Sequence, residues 1–210
     1  LPLKKVIIGG FERVFEIGKA FRNEGIDPSH LPEHTHFEWY TAYWSFKENM
    51  NFSEKMIKHL IQSLGINPIV PIKDKDGNIQ NVDFSSSWER TDYVDLIKKD
   101  SGIDIMEVRT TEGLRKAIKE KKIMIPDMEN MLYPTLVDYL YKKVSRPKII
   151  GPAFLYNYPK ALQPLARTND ENPEMVDQFQ LVVNGWEIVK GYSELVDPID
   201  QAERFKEQEG

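Results

Sequence analysis

The sequence predicts an α+β fold, an antiparallel β-sheet flanked by helices. Two extended aromatic stretches near the start, helices with regular apolar spacing in the middle and a hairpin signal near the end predict this class. The 210 residues, 40% hydrophobic and 29% charged, can form a real core and are typical of an ordered globular chain. We expect one partial domain of three segments: residues 1–64, a less regular helical insertion over 65–146, and residues 147–210.

The first segment combines strands with one helix. Residues 6–8 are apolar and precede Gly9-Gly10, a turn signal, so they predict a short strand. Residues 14–23 and 37–46 predict an antiparallel pair joined by a loop of about a dozen residues. Ser53 precedes apolar residues at 3.6-residue spacing and therefore predicts the N-cap of a helix that reaches residue 64.

Turn and periodicity signals predict the remaining elements. Residues 74–78 indicate a hairpin turn, and Asn184-Gly185 indicates another between two further strands. Asp197 followed by Pro198 is typical of a helix start. We also expect helices over 91–99, 111–121 and 127–144, a buried strand over 148–155, and hairpin strands over 179–183 and 186–192.

Composition disfavours several classes of function. Lys and Arg total 28 against 33 Asp and Glu, a net charge of -5, which argues against holding nucleic acid by bulk electrostatics. The absence of Cys excludes disulfides, zinc–thiolate sites and cysteine nucleophiles. No apolar run approaches the roughly 18 residues of a membrane span, so we expect a cytoplasmic protein without membrane contact. Both ends suggest that the chain is a segment of something longer.

A row of polar side chains follows the second predicted strand. Alternation places His34, His36, Glu38 and Tyr40 on one face, and such a row is most often simply solvated. An alternative is a metal site, because imidazole and carboxylate are common metal ligands. The candidate ligands for that alternative are His30, Glu33, His34 and His36.

A second polar group lies near the end of the chain. Tyr192 and Glu194 share a strand face with Lys190, and Glu187 lies close by in the sequence. Such residues are often a buried hydrogen-bonded pair or a solvated edge. Glu38 and Glu194 each lie two residues from a Tyr, however, so neighbouring strands would bring them together as a pocket for a cation.

Arg22 is the third candidate. An arginine at a strand end is often merely exposed, but its guanidinium can also grip a carboxylate or phosphate through two hydrogen bonds. The sequence contains no glycine-rich phosphate loop, dinucleotide fingerprint or nucleophile elbow. A nucleotide would therefore have to be bound without a glycine cradle at a helix terminus.

These residues lie in motifs that resemble a known family. Phe21-Arg22-Asn23-Glu24-Gly25, followed by His30 and Glu38-Trp39-Tyr40, resembles motif 2 of class II aminoacyl-tRNA synthetases in its lysine-specific form. Further stretches are similar to the same family, and together they cover about half of the chain densely. They are residues 9–18, Tyr158-Pro159, residues 163–166, Gly185-Trp186-Glu187, residues 192–195, Asp197-Pro198 and residues 201–208.

The resemblance implies a partial class II catalytic core that dimerises in the full-length protein and uses ATP and Mg²⁺. Motif 1 and the glycine-rich motif 3 of the family have no counterpart in these residues. Arg22 would be the catalytic residue, holding both the α-phosphate and the amino acid carboxylate. The implied ATP contacts are Arg22, Glu24, His30, His34 and Glu187, and Glu187 would also be the metal ligand. The implied lysine contacts are Arg22, Glu38, Tyr40, Lys190, Tyr192 and Glu194.

The chain departs from the family pattern at several of these positions. His34 stands where the family usually has a Phe that stacks on adenine, and Gln180 where a second metal-binding Glu is common. Lys190 replaces an Asn that contacts the substrate carboxylate, while Leu31 and Val196 replace two other Asn residues. These departures indicate either a divergent branch of the enzyme or a paralogue with altered chemistry.

The implied function is ATP-dependent activation of L-lysine and its transfer to tRNA(Lys). Two carboxylates and a phenol suit a side chain that is charged below a pKa of about 10.4. Activation needs no protein nucleophile, since the substrate carboxylate itself attacks phosphorus. Two alternatives stay open: a paralogue that ligates lysine or a relative to a protein, and a non-catalytic module that binds lysine or ATP. We expect the 210 residues alone to show no useful turnover.

Overall fold

The computed structural model describes residues 2–23, 31–74 and 77–209, with side chains described as far as residue 206. The chain forms two compact units, Leu1–Trp44 and Ser45–Gly210. The first is built on a two-stranded sheet, and the second contains a four-stranded sheet with helices. The antiparallel pairs and flanking helices confirm the predicted α+β class.

The first unit opens with a helix, α1 (Pro2–Ile8), so the predicted strand at residues 6–8 is wrong. The glycine pair explains the difference, because it ends this helix instead of joining two strands. The Gly10 N–H donates to the Ile7 carbonyl at 3.0 Å and the Phe11 N–H to the Val6 carbonyl at 3.3 Å. Gly10 has a φ of 101°, the left-handed conformation that a glycine after a helix adopts without strain.

The predicted antiparallel pair is confirmed as β1 (Arg13–Phe21) and β2 (Glu33–Thr41). The register pairs Phe21 with Glu33 at the loop end and Arg13 with Thr41 at the other end. The second strand therefore begins four residues earlier than predicted. This earlier start places His34 and His36 within the regular strand, together with Glu38 and Tyr40.

The second unit begins with α2 (Phe46–Ser63), eight residues before the predicted start. Ser45, not Ser53, is the N-cap: its hydroxyl accepts from a backbone N–H, and Glu48 accepts the Ser45 N–H at 2.9 Å. This is a capping box, which satisfies backbone donors at both positions. Ser53 is buried inside the helix, where its hydroxyl donates to the Asn49 carbonyl at 2.8 Å.

The main sheet has the strand order β5-β6-β7-β8. β5 runs parallel to β6, while β6, β7 and β8 are antiparallel, so one edge of the sheet departs from the antiparallel prediction. A separate hairpin pairs β3 with β4 on either side of the predicted turn. The strands are β3 (Ile69–Lys73), β4 (Ile79–Asp83), β5 (Glu89–Asp92), β6 (Ala153–Pro159), β7 (Met175–Val183) and β8 (Trp186–Tyr192).

Helices cover the sheet of the second unit. One buried cluster joins the sheet to the helices of the insertion, and a second joins Phe154, Phe179 and Leu181 to α2. The Asn184-Gly185 turn is confirmed, with φ values of 49° and 72°, and Asp197 is confirmed as a cap that accepts from the Ile199 N–H at 2.8 Å. The remaining helices are α3 (Tyr93–Ser101), α4 (Thr111–Glu120), α5 (Tyr133–Val144) and α6 (Pro198–Glu209). Within the described ranges, no helix combines the length and apolar character needed to cross a membrane.

Candidate active site

The polar row on β2 lies on one face, as predicted. The Tyr40 phenol donates to Glu38 Oε1 at 2.5 Å, and His36 Nδ1 lies 4.0 Å from Glu38 Oε2. The rings of His34 and His36 approach edge to face, with centroids 6.0 Å apart. Glu38 and Tyr40 are half-buried, so their hydrogen bond fixes a carboxylate in a partly shielded position.

The register adds a carboxylate that the sequence analysis missed. Glu16 on β1 is the direct cross-strand partner of Glu38 and therefore shares its face. Gly18 lies next to it on that face, and a Cβ there would lie 3.7 Å from Glu16 Oε1. The signal was present in the sequence, because Glu16 becomes the partner of Glu38 once the pairing of Phe21 with Glu33 is known.

Arg22 immediately follows β1 at the loop end of the hairpin. Its backbone N–H donates to the Pro32 carbonyl at 2.9 Å, next to the pairing of Phe21 with Glu33. The residue is exposed. Two other predicted ATP contacts, Glu24 and His30, lie outside the described residues. His30 also belonged to the alternative metal site, and the part of the chain that is described contains no group of three or more His, Cys, Asp or Glu placed to hold a metal ion.

A β-bulge assembles the second polar group. Gln180 pairs with Lys190 and Leu181 with Val189, but Val182 pairs with Glu187, which leaves one extra residue in β8. Because Gln180 and Val182 share a face of β7, their partners Lys190 and Glu187 share that face of β8. The bulge therefore gathers the predicted residues Glu187, Lys190 and Tyr192 on one side of the sheet.

Glu187 lies among basic side chains. It has access to water at the edge strand, but the protein around its carboxylate raises its pKa, since desolvation disfavours the charged form. Lys190, followed by Lys142 and Arg146 from α5 and the turn after it, favours the charged form and opposes that rise. Asp138 acts in the opposite sense, and its carboxylate is paired with Lys142 at 2.7 Å.

Gln180 is held from the interior of the sheet. The Tyr158 phenol donates to Gln180 Oε1 at 2.7 Å, and Tyr158 is only 2% exposed. Burial raises the Tyr158 pKa well above its usual value, so this phenol stays protonated and remains a donor. The amide oxygen of Gln180 is therefore already engaged by the protein.

Glu194 is fixed by a short backbone bridge beyond β8. It pairs with Ala166, while the Arg167 N–H donates to the Ser193 carbonyl at 2.9 Å and the Leu195 N–H to the Leu165 carbonyl at 3.2 Å. The Ser193 hydroxyl in turn accepts from the Phe46 N–H at 3.0 Å, at the start of α2. The half-buried Glu194 side chain thus projects from a backbone that is held on both sides.

The backbone beside Glu194 is held by Arg204, which the sequence analysis did not single out. Arg204 is 4% exposed and donates to the Ala166 carbonyl and to Thr168 Oγ1, each at 2.7 Å. Asp200 pairs with it through two hydrogen bonds of 2.8 and 2.6 Å. These bonds, led by that from Arg204, lower the Asp200 pKa to about 2. In the sequence, the spacing of four residues between Asp200 and Arg204 on a predicted helix was consistent with this ion pair.

The predicted site residues fall into two groups, one in each unit. Arg22, His34, Glu38 and Tyr40 belong to the first unit, and Glu187, Lys190, Tyr192 and Glu194 to the second. Within its own unit, each group is brought together by strand pairing. Chemically, the first group offers a partly shielded carboxylate with a phenol, and the second offers carboxylates and the exposed ammonium of Lys190.

The donor set near Gln180 does not fit a divalent ion held by the protein alone. It offers the Glu187 carboxylate, an Asp138 carboxylate that is already paired with Lys142, and one amide whose oxygen already accepts from Tyr158. Mg²⁺ is usually bound through one or two carboxylates together with substrate phosphates. The set is therefore compatible with an ion that arrives as part of a magnesium–nucleotide substrate, with Glu187 as one protein contact.

Comparison with known proteins identifies the class to which this fold and site belong. A family model described as tRNA synthetases class II (D, K and N) matches residues 1–210. The chain belongs to this family, which confirms the predicted resemblance.

Three similar proteins are each named lysine–tRNA ligase. The lysine–tRNA ligase of Aquifex aeolicus (strain VF5) is 42% identical over 210 residues, 99% of this chain and 34% of that protein. The lysine–tRNA ligases of Staphylococcus haemolyticus (strain JCSC1435) and Dehalococcoides mccartyi (strain ATCC BAA-2266 / KCTC 15142 / 195) are each 36% identical over 208 residues, 99% of this chain and 40% of each relative. The chain thus spans about a third to two fifths of the length of these relatives.

Proposed function

We propose that the protein activates L-lysine with ATP and transfers it to tRNA(Lys). The observation that carries the proposal is the Glu38–Tyr40 pair, a partly shielded carboxylate with its phenol, in a family described for D, K and N. An aspartate substrate would bring a second negative charge to this carboxylate, and an asparagine substrate no positive charge. A lysine ammonium would complement the negative charge of Glu38, so the pocket chemistry favours K over D and N.

The proposed lysine contacts are those that the family resemblance implies. Glu38 and Glu194 would flank the ammonium, and Tyr40 and Tyr192 would cover its alkyl chain. Glu38 and Glu194 are both half-buried carboxylates, and their negative charge suits a cationic side chain. Lys190 would line the wall on the side of the substrate carboxylate.

The proposed nucleotide site centres on Arg22. Its guanidinium would align the lysine carboxylate with the α-phosphate, and the residue is exposed at the end of β1. Glu24, His30 and His34 would contact the nucleotide, with His34 stacking on the base. Magnesium would enter as the magnesium complex of ATP, which is the substrate, and Glu187 would contact that ion.

The chemistry needs alignment and charge neutralisation more than a protein nucleophile. A lysine carboxylate oxygen forms a bond to the α-phosphorus while the bond to the leaving pyrophosphate breaks, which gives lysyl-adenylate. A terminal ribose hydroxyl of the tRNA then attacks the acyl carbon and AMP leaves with its electron pair. The guanidinium of Arg22 would stabilise the charge that develops on phosphorus oxygens. We further propose that the complete protein acts as a homodimer in the cytoplasm.

Pyrophosphate exchange into ATP tests the first step directly. In the complete gene product, lysine should drive exchange and leucine should not, and Glu194→Gln should lower kcat/KM for lysine by at least 100-fold. Glu171→Gln, an exposed carboxylate on the loop before β7, makes the same change elsewhere and should leave exchange intact. Exchange driven equally by leucine would contradict the proposed specificity.

An acceptor assay separates the alternatives that the sequence left open. Radiolabelled lysine should appear on tRNA(Lys) and not on protein. Labelled protein without labelled tRNA would indicate the paralogue that modifies proteins. Binding of lysine or ATP by calorimetry without any exchange would indicate the non-catalytic module.

A further inference from the structure

One carboxylate and a set of cations occupy the Gln180 face of β7 and β8. The register places Lys190 directly opposite Gln180, and the bulge brings Glu187 onto the same face. Lys142 on α5 and Arg146 in the turn after it act electrostatically on Glu187. The cluster is therefore organised around a single carboxylate that already has basic neighbours.

Such a cluster is poorly suited to hold a second divalent cation. Lys190 is a compact, strongly hydrated point charge, and its ammonium would repel a dication placed beside it. Gln180 has no charge to offer, and its oxygen accepts from the buried Tyr158 phenol at 2.7 Å. Asp138, the other acidic group that acts on Glu187, is engaged by Lys142 at 2.7 Å.

We propose that Lys190 is the resident cation of this site and supplies the positive charge that a second, protein-held divalent ion would otherwise supply. The inference rests on the proposed function, in which ATP phosphates and the lysine carboxylate meet at this face. Three N–H donors let the ammonium follow oxygen atoms of either group as charge moves to the leaving pyrophosphate. The reaction then needs only the magnesium that arrives with ATP.

The first test measures metal binding without nucleotide. Electron paramagnetic resonance of Mn²⁺ added to the complete gene product should detect no tight site in the native protein. The double variant Gln180→Glu/Lys190→Asn, which adds a carboxylate and removes an ammonium, should bind Mn²⁺ at least tenfold more tightly. The control Gln62→Glu/Lys55→Asn makes the same change of charge on the exposed side of α2 and should not gain a site.

The second test measures how lysine-dependent pyrophosphate exchange depends on free Mg²⁺ at a fixed concentration of the magnesium–ATP complex. Native exchange should stay constant within about twofold as free Mg²⁺ rises from micromolar to millimolar. The Gln180→Glu/Lys190→Asn variant should instead require excess free Mg²⁺. If the double variant does not fold, Lys190→Gln alone should show a gain of Mn²⁺ binding in the same direction.

The outcomes separate this inference from the proposed function. Native protein that binds Mn²⁺ as tightly as the double variant would overturn the role of Lys190, even if lysine activation is intact. Absence of lysine-dependent exchange, together with the expected Mn²⁺ results, would refute the proposed function and leave the charge assignment of the cluster supported. A native requirement for free Mg²⁺ beyond the ATP complex would also overturn the inference.

Discussion

Replacement of Asp200 by Asn should show how much the stability of the backbone beside Glu194 depends on the Asp200–Arg204 ion pair. Arg204 is 4% exposed, and Asp200 accepts two of its hydrogen bonds while Lys160 approaches the same carboxylate at 3.2 Å. The Asp200 pKa is lowered from 3.8 to about 2, chiefly by the bond from Arg204. At about 1.4 kcal/mol per pKa unit, this difference corresponds to at most about 2.5 kcal/mol of folding stability at pH 7, and solvent screening of the partly exposed carboxylate reduces it.

Asp200→Asn also leaves the buried Arg204 charge without its counterion. Breaking a buried pair on one side typically costs about 3–5 kcal/mol. Arg204 keeps the Ala166 carbonyl and Thr168 Oγ1 as acceptors, however, and the Asp200 side chain is 24% exposed, so water can reach the altered group. We therefore expect a loss of about 2–3 kcal/mol, and a fall in Tm of roughly 5–10 °C for a chain of this size.

The pH dependence of this loss gives a sharper measurement than its size. Because folding lowers the Asp200 pKa, its contribution is fully present above the unfolded value of 3.8 and is lost as pH falls toward about 2. Urea unfolding should show the native protein and Asp200→Asn converging between pH 5 and pH 2. Asp170→Asn is the matched control, since Asp170 bonds Arg167 on the surface with its side chain 76% exposed and should cost less than about 1 kcal/mol. A difference between native and Asp200→Asn that stays constant from pH 5 to pH 2 would refute the reasoning.

Two further predictions concern the elements that carry the site. Ser45→Ala removes the α2 capping box and should therefore lower the free energy of unfolding, measured in thermal melts, by about 1 kcal/mol. Ser53→Ala, inside the same helix, should cause a smaller loss. Equal losses from the two variants would contradict the assigned helix start. Gly191→Ala should cost about 1–3 kcal/mol in urea unfolding, because a Cβ there would lie 2.6 Å from the Phe179 ring. Gly151→Ala is its control, since no atom lies within 4 Å of the added Cβ, and a loss as large as that of Gly191→Ala would show that local crowding is not the cause.

Strand alternation made the first half of the site predictable from sequence. The period of two placed Glu38 and Tyr40 on one face, and their hydrogen bond at 2.5 Å is the expected consequence. The start of α2 was also encoded, since Ser45 and Glu48 have the spacing of a capping box. Its signal was outweighed by the aromatic residues before it, which extended the predicted strand too far.

Other features depend on tertiary contacts that periodicity does not contain. Three apolar residues fit either a strand or a helix, and the capping role of Gly10 separates the two only after the chain has folded. The spacing of Asp200 and Arg204 is consistent with an ion pair on a helix, but the burial of Arg204 depends on the segment from Gln163 to Thr168 packing over it. Lys190 and Glu187 share a face because of a β-bulge, and no residue type in β8 predicts that bulge.

The bulge matters because it decides which charges meet. A two-residue turn at Asn184-Gly185 starts the pairing with Val183 and Trp186, and continued without interruption this register would pair Gln180 with Val189. Lys190 would then face away from Glu187, toward the side of the sheet that packs on α2. Because the bulge adds one residue to β8, the residues of β8 that pair with Leu181 and the positions before it turn to the opposite face of the sheet. Lys190 and Tyr192 therefore lie on the same face as Glu187. The local charge balance at the candidate nucleotide site is therefore set by backbone register as much as by residue choice, and a variant that removes the bulge should alter metal dependence without changing any charged residue.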